Sequence, residues 1–282
     1  MLTDLPALDL CPMRCIHPYP CAPGPLFVLL WLLLLGPVAC AQSVRPDTVS
    51  RFSGTLTLTQ NGISIIPTFS LDKPALIFNL AVGRGRLTFE PDLRFSLEGK
   101  PWSMLFWWRY RVLRDRRFSL RVGAHPAMNF RTVDMQRTPD GTPEEVIEAR
   151  RYLATEVVPS YRLTDRLSLG LYYLSGWGFD DGVQRTHFLT LNAALTPLAR
   201  VGDWSLQAFP SAFYLRTDDL QGYYGSATLR VQHARVPLAL ESILNHKIST
   251  EIAPERVLVW NISLRYTFNR RFVDYRPQQA LP

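Results

Sequence analysis

The sequence predicts an all-β protein, namely an antiparallel transmembrane β-barrel of about 12 strands. Apolar and polar residues alternate with a period of two along most of the chain, which is typical of strands with one apolar and one polar face. The connections alternate between long and short, as in membrane barrels. After residue 41, no apolar run approaches the roughly twenty residues that a membrane-spanning helix needs. A soluble sandwich can use similar strands. The number of such strands and the alternation of long and short connections favour the barrel.

The N-terminal segment has the pattern of a cleaved signal peptide. Residues 26–35 read LFVLLWLLLL, and an Ala-Cys-Ala triplet ending at Ala41 follows as the small-x-small pattern of a leader-peptidase site. Cleavage after Ala41 is the simple interpretation, and a lipoprotein cut before Cys40 is the alternative. Met13 would make a more ordinary start. All 4 cysteines lie in this segment, so the body is not a disulfide-stapled secreted module.

These features give an expected organisation. Residues 1–41 are the signal peptide, with 1–12 a candidate for a misassigned start. Residues 42–61 form a periplasmic arm, an extra strand or a plug, because TLTLT at their end alternates without a clear partner. Residues 62–268 form the barrel and 269–282 a periplasmic tail. The predicted strands lie near 62–71, 75–83, 86–97, 103–113, 118–130, 151–163, 167–178, 186–198, 204–217, 222–234, 236–248 and 256–268.

The last strand shows the alternation most clearly. One face of this strand is apolar or aromatic and the other is polar, which no helix can produce. We expect the lipid-facing set to be Leu258, Trp260, Ile262, Leu264 and Tyr266, and the inward set to be Asn261, Ser263 and Arg265. Among the connections, Arg131 to Arg150 is predicted to be the largest surface loop. An even strand count places both termini on the side of the short turns.

Over about residues 62–268, these features resemble the integral outer-membrane β-barrels of Gram-negative bacteria. The last strand from Trp260 to Phe268 looks like the aromatic-ended signal that barrel-assembly machinery recognises. Residues 62–67 and 99–103 are similar to segments in barrel proteins of the Bacteroidota type. The resemblance implies the fold and an outer-membrane location, but it names no activity. It implies membrane lipid, lipopolysaccharide and the assembly machinery as partners, and leaves the oligomeric state open.

The inward faces are predicted to be rich in charge. By alternation, the basic inward groups are Arg86, Arg94, Arg109, Arg111, Arg121, Arg162, Arg230, Arg265 and Lys247. The acidic inward groups are Glu90, Asp92, Glu156 and Glu241. A basic excess predicts a lumen that attracts anions. The alternative is that paired charges fill a narrow barrel and hold it shut. The function is therefore predicted to be non-enzymatic, either a narrow anion-favouring passive channel or a plugged structural barrel.

The alternative function is a hydrolase at the outer rim, similar to omptin proteases or lipid hydrolases. Its candidate residues are Asp180, Asp181, Asp218 and His187, which lie in or beside outer connections. Aspartates are also common turn residues that cap their own backbone. No histidine of the mature chain has serine two residues away, which argues against a local His and Ser pair. No cofactor or metal site is predicted, although a calcium site on the carboxylates of Asp180, Asp181, Asp218 and Asp219 is a chemically reasonable alternative. No nucleic-acid partner is predicted, because the arginines are spread singly without a basic stripe.

Overall fold

The computed structural model describes residues 49–64, 66–136, 143–254 and 256–273. The predicted signal peptide, residues 1–41, lies outside this part of the chain. The described residues form a closed antiparallel β-barrel in which each strand pairs with its neighbours in sequence. The first strand pairs with the last, and this closes the wall. The predicted fold class is confirmed. Among the described residues, no helix has the length and apolar character needed to cross a membrane.

Thirteen strand segments build the wall. They are β1 (Val49–Thr59), β2 (Ala75–Arg84), β3 (Leu87–Ser96), β4 (Pro101–Arg114), β5 (Phe118–Gln136), β6 (Pro143–Arg162), β7 (Leu167–Gly178), β8 (Arg185–Val201), β9 (Trp204–Thr217), β10 (Leu220–His233), β11 (Leu238–Thr250), β12 (Leu258–Trp260) and β13 (Ser263–Val273). Both β12 and β13 pair with β11. They are one wall strand interrupted at Asn261, whose side-chain oxygen accepts the backbone N–H of Ile243 at 2.9 Å. The barrel therefore has twelve wall strands, as predicted.

The barrel begins earlier than the sequence predicts. Strand β1 occupies 49–59, so this part of the 42–61 segment is a wall strand, paired with β2 on one side and β13 on the other. The strand predicted over 62–71 is wrong. Pro67 has no N–H for a ladder and begins a single 3-10 turn, and the N–H of Leu71 closes the loop by donating to the carbonyl of Gly62 at 2.9 Å.

The other end of the barrel also extends beyond its predicted limit. Strand β13 continues to Val273, so residues 269–273, predicted as the start of a tail, belong to the wall. The reason is the partner strand, since Asn269 pairs with Ser53 and Val273 with Val49. Residues 274–282 lie outside the described part of the chain.

The segment from Arg131 to Arg150 differs from its prediction as a surface loop. Strands β5 and β6 stay paired through Arg131 opposite Glu148 and on to Gln136 opposite Pro143. The segment is thus a two-stranded extension of the wall, whose cross-strand pairs include the β-branched residues Val133 and Val146. Only 137–142, outside the described residues, connects the two strands.

The two rims of the barrel differ in their connections. We call the rim with the connections 60–74, 97–100, 137–142, 179–184, 218–219 and 251–257 the loop rim. We call the opposite rim, with 85–86, 115–117, 163–166, 202–203 and 234–237, the turn rim. The first residue of β1 and the last residue of β13 lie together at the turn rim, because Val49 pairs with Val273. This asymmetry is typical of outer-membrane barrels, whose periplasmic turns are short.

The outward face carries the apolar residues of the strands. Trp260 is 51% exposed, and Leu258, Ile262, Leu264 and Tyr266 are exposed as well. Asn261 and Ser263 are buried, and Arg265 contacts an inward glutamate. The predicted orientation of the last strand is confirmed. The physical reason is the strand period of two, which sends consecutive side chains to opposite faces of the wall.

This orientation predicts a cysteine-accessibility pattern along the last strand. Single cysteines at 260, 262 and 264 should stay unlabelled by a membrane-impermeant thiol reagent in intact membranes, since lipid covers them. The same variants should become reactive once the protein is transferred into mild detergent and partly stripped of lipid. Cysteine at Thr267, an exposed position near the turn rim, is the accessible control. Labelling at all three outward positions in intact membranes would contradict the assignment.

Candidate functional site

The candidate site is the barrel lumen, where inward side chains of the neighbouring strands β3 to β6 form a charged cluster. Gly123 in β5 lies opposite Arg109 of β4 and Glu156 of β6 in the strand register. A Cβ at Gly123 would lie 3.0 Å from the Cγ of Glu156 and 3.1 Å from that of Arg109. Glycine therefore leaves the space in which these two side chains meet across an intervening strand.

Glu156 is the centre of the first charged cluster, and its side chain has 0% exposure. Its carboxylate accepts two hydrogen bonds from Arg109, from Nε at 2.8 Å and from Nη2 at 3.1 Å. Nε of Arg121 lies 3.2 Å from the same carboxylate, and Arg109 also donates to Glu90. We call Glu90, Arg109, Arg121 and Glu156 the central cluster. Two-pronged pairing of this kind offsets the desolvation of a buried carboxylate.

Aromatic rings support the arginines of this region. The guanidinium carbon of Arg109 lies 4.3 Å from the centre of the Trp107 ring, and that of Arg94 lies 5.2 Å from the centre of Trp102. Arg94 also forms a two-pronged ion pair with Asp92, at 2.9 and 2.6 Å. Each of these cations is therefore matched by both a carboxylate and a ring face.

A second cluster lies across the lumen. Glu241 in β11 accepts a hydrogen bond from Nε of Arg230 at 2.7 Å and another from Nη1 of Arg265 at 3.2 Å. The guanidinium carbon of Arg230 lies 4.9 Å from the centre of the Phe209 ring. One carboxylate thus holds arginines from β10 and β13 beside the strands that close the barrel.

The predicted lumen charges therefore fall into two groups. Arg94, Arg109, Arg121, Arg230 and Arg265 are paired with Glu90, Asp92, Glu156 and Glu241. Arg111 and Arg162 lie nearer the turn rim, and no ion pair joins either of them to a carboxylate of the described residues. Paired charges thus lie in the middle of the barrel, and arginines without an ion-pair partner among the described residues lie toward the turn rim.

An apolar cluster lies inside the barrel on the loop-rim side. Its members are Phe188, Phe213, Leu215, Tyr224 and Ile252, which we call the aromatic plug. Leu215 is 0% and Ile252 1% exposed, and the rings of Phe213 and Tyr224 stack with centres 4.8 Å apart. The sequence analysis missed this cluster. The available signal was Phe213 and Leu215 at successive inward positions of β9, where an open lumen would carry polar side chains.

The loop 60–74 folds inward toward the aromatic plug. Ile66 packs against the aromatic plug. Nε1 of Trp102 donates a hydrogen bond of 2.8 Å to the carbonyl of Phe69, and the Phe69 ring meets that of Tyr152 with centres 5.4 Å apart. Because Trp102 and Tyr152 point inward from β4 and β6, these contacts hold the loop over the lumen.

The residues of the hydrolase alternative have other partners. Asp180 accepts hydrogen bonds from the side chain and the backbone N–H of Arg151, which lower the pKa of its carboxyl to about 2. Asp218 accepts the backbone N–H groups of Gln184 and Arg185, at 3.1 and 2.8 Å. A carboxylate held this way is a poor general base.

The remaining two residues of that alternative also lie apart. His187 bonds to the hydroxyl of Tyr173 at 3.0 Å, on the outward face of the barrel. Asp181 has only a longer-range attraction to Arg150. The structure therefore does not bring Asp180, Asp181, Asp218 and His187 to one point. Within the described ranges, no three side chains of metal-binding type are grouped to hold an ion.

Comparisons with known proteins concern the fold alone. No protein-family model matches the chain, and no curated protein matches its sequence. Among solved structures, the KdgM porin in complex with disordered oligogalacturonate has a TM-score of 0.48 at 9% identity, covering 77% of this chain and 99% of that one. An outer membrane channel from Pseudomonas putida F1 has a TM-score of 0.42 at 11% identity, covering 84% and 100%. The NanC porin has 0.42 at 10%, covering 80% and 100%.

Proposed function

We propose that the protein is a non-enzymatic barrel of the bacterial outer membrane whose lumen is sealed by its own side chains. The observation that carries this proposal is the aromatic plug, whose Leu215 and Ile252 are removed from solvent inside the barrel. A water-filled lumen would keep its inward side chains hydrated. The apolar outward face supports membrane embedding, with lipid and lipopolysaccharide as the surrounding partners.

The central cluster supports the same proposal. Buried ions are stable only when paired and hydrogen-bonded, and Glu156 and Arg109 meet that condition through two hydrogen bonds. Neutralised in pairs, these groups give little net attraction to a passing ion. They act as a fixed layer that joins the neighbouring strands β3, β4, β5 and β6 along the inner wall. The protein therefore works first as a structural barrel.

A narrow passive channel that favours small anions is the second candidate. It is supported by the arginines at the turn rim, since Arg111 and Arg162 have no carboxylate partner among the described residues. Unpaired positive charge at a pore mouth raises the local concentration of anions and repels cations. The two candidates differ in whether the aromatic plug leaves a path for an ion.

Planar-bilayer recording tests the proposal. We expect the wild-type protein to give no discrete current steps, because the aromatic plug excludes water from the loop-rim side of the lumen. An open barrel channel in the same lipid is the positive control. Small steps with chloride preferred over potassium would favour the second candidate. Large steps with cation preference would contradict both candidates.

The hydrolase alternative has less support, because two of its carboxylates hold loop backbone or an arginine and His187 faces outward. Conversion of Asp180, Asp181 and Asp218 to Asn is its test. If the protein hydrolysed a peptide or phospholipid substrate and the triple variant did not, the non-enzymatic proposal would fail.

A further inference from the structure

The turn rim contains a cavity of about 260 Å³ whose eleven lining residues include five arginines. It lies where β4 ends, β5 begins and β6 turns into β7. The arginines are Arg111, Arg114, Arg116, Arg117 and Arg162, which we call the arginine vestibule. Arg116 and Arg117 lie on the short connection, while the other three belong to strands.

The arginine vestibule differs from the rest of the lumen because its charge is not neutralised. Five arginines line the cavity against one carboxylate, that of Asp115, and no ion pair joins any of the five to a carboxylate within the described ranges. The inward arginines nearer the middle of the barrel, by contrast, pair with Glu156, Glu241 or Asp92. Five like charges around one small space repel each other, and a bound anion would relieve that repulsion.

Serine hydroxyls complete the lining. Ser119 lies opposite Ser160 in the register of β5 and β6, and Ser168 lies opposite Arg162 in the register of β6 and β7. All three serines line the cavity and are half-buried. The cavity thus combines guanidinium groups, which donate in a planar fork, with small hydroxyls that donate single hydrogen bonds. This donor set fits a tetrahedral oxyanion with several acceptor oxygens.

From this geometry we propose that the arginine vestibule binds a phosphate group, as a free anion or as the headgroup of an anionic lipid. The binding does not depend on conduction, because the cavity opens at the turn rim and the aromatic plug lies on the loop-rim side. A sealed barrel and a narrow channel would both carry this site. Phosphate binding at this site can therefore be tested separately from whether the barrel conducts.

The two sources of phosphate reach the cavity by different routes. A free anion enters from the aqueous side of the turn rim. A lipid headgroup enters from the membrane surface, where Phe118 and Tyr161 form an outward-facing cross-strand pair at the edge of the same cavity. Aromatic residues at this depth are typical of the headgroup region. Both routes end at the same guanidinium groups, so one pair of substitutions tests both.

The experiment uses the protein purified from membranes in a neutral detergent, with the double substitution Arg111→Gln and Arg162→Gln. In the first arm, inorganic phosphate is titrated by calorimetry. In the second, phosphatidylglycerol is added in mixed micelles and the lipid retained is measured by native mass spectrometry. We expect wild-type protein to bind in at least one arm and the double variant to bind at least about tenfold more weakly, since one charged hydrogen bond is worth about that factor.

Arg200→Gln is the matched control, because Arg200 is an exposed arginine at the turn rim outside this cavity. It should bind as the wild type does, and both proteins should keep the heat-sensitive gel migration of a folded barrel. Phosphate binding identifies the free anion as the ligand, and retention of lipid alone identifies the headgroup. The proposal is overturned if the wild type binds in neither arm, or if the double variant binds as Arg200→Gln does.

Discussion

Replacing Glu156 with alanine is expected to lower the free energy of unfolding by about 3–5 kcal/mol, because it leaves buried positive charge without its main partner. Arg109 would keep only Glu90, and Arg121 would lose its sole carboxylate neighbour in the described structure. The measurement is guanidinium-induced unfolding in detergent micelles, followed by tryptophan fluorescence. Trp107 lies against Arg109 and should report the change directly.

Glu148→Ala is the matched control for that variant. Glu148 is a glutamate of the same strand, and it pairs with Arg150 at the more solvated end of β6. We expect a smaller loss, about 1 kcal/mol or less. The double variant Glu156→Leu with Arg121→Met should recover part of the stability that Glu156→Ala loses, since Arg109 keeps Glu90 and no arginine of the central cluster is left without a carboxylate. Equal losses for Glu156→Ala and Glu148→Ala would show that the central cluster does not hold the barrel together.

The double substitution Phe188→Ala and Phe213→Ala is expected to convert a silent barrel into a conducting one. These rings form the centre of the aromatic plug, 5.1 Å apart between ring centres. Each truncation is expected to cost about 3–5 kcal/mol of stability, because a buried phenyl ring leaves a cavity. Since the arginine vestibule stays intact, the new current should favour anions. Planar-bilayer recording measures both the current and its selectivity.

The control for the plug variant is Leu189→Ala with Tyr214→Ala. These residues follow Phe188 and Phe213 in sequence and point to the outward face, so the lumen is unchanged. This variant should stay silent. If the double plug variant does not fold, Phe213→Ala alone gives the same test with a smaller loss of stability. A folded plug variant without current would mean that these rings are not the seal.

The barrel fold was largely predictable from the sequence. The residues at which the barrel begins and ends in the sequence were not. Alternation along the strands identifies the twelve-stranded wall and the two faces of the last strand. The limits of the barrel depended on pairing between distant segments, since Val49–Thr59 is held by residues 263–273. The alternation within each segment does not show which segment is its partner or how far the strand extends. The ladder of backbone hydrogen bonds between them makes both into strands, at a sequence distance that no local pattern reports.

The inward direction of the charged residues was also predictable, but their partners were not. Arg109 and Glu156 are 47 positions apart and lie on strands that are not neighbours. They meet because Gly123 between them has no side chain. The register of β4 against β5 shifts near Arg111, which changes the neighbours of each later residue. A shift of this kind depends on how the two strands pair, which the sequence of either strand alone does not report.

The sequence by itself determined that this protein is a barrel with an apolar outside and a charged inside, because side-chain direction follows from strand geometry. Only the tertiary structure decided which inward residues meet. Phe188, Phe213 and Tyr224 come from three strands and Ile252 from a loop, and each is an ordinary apolar residue in its own segment. Their effect arises when closure of the wall brings them into one small volume, where they exclude water together.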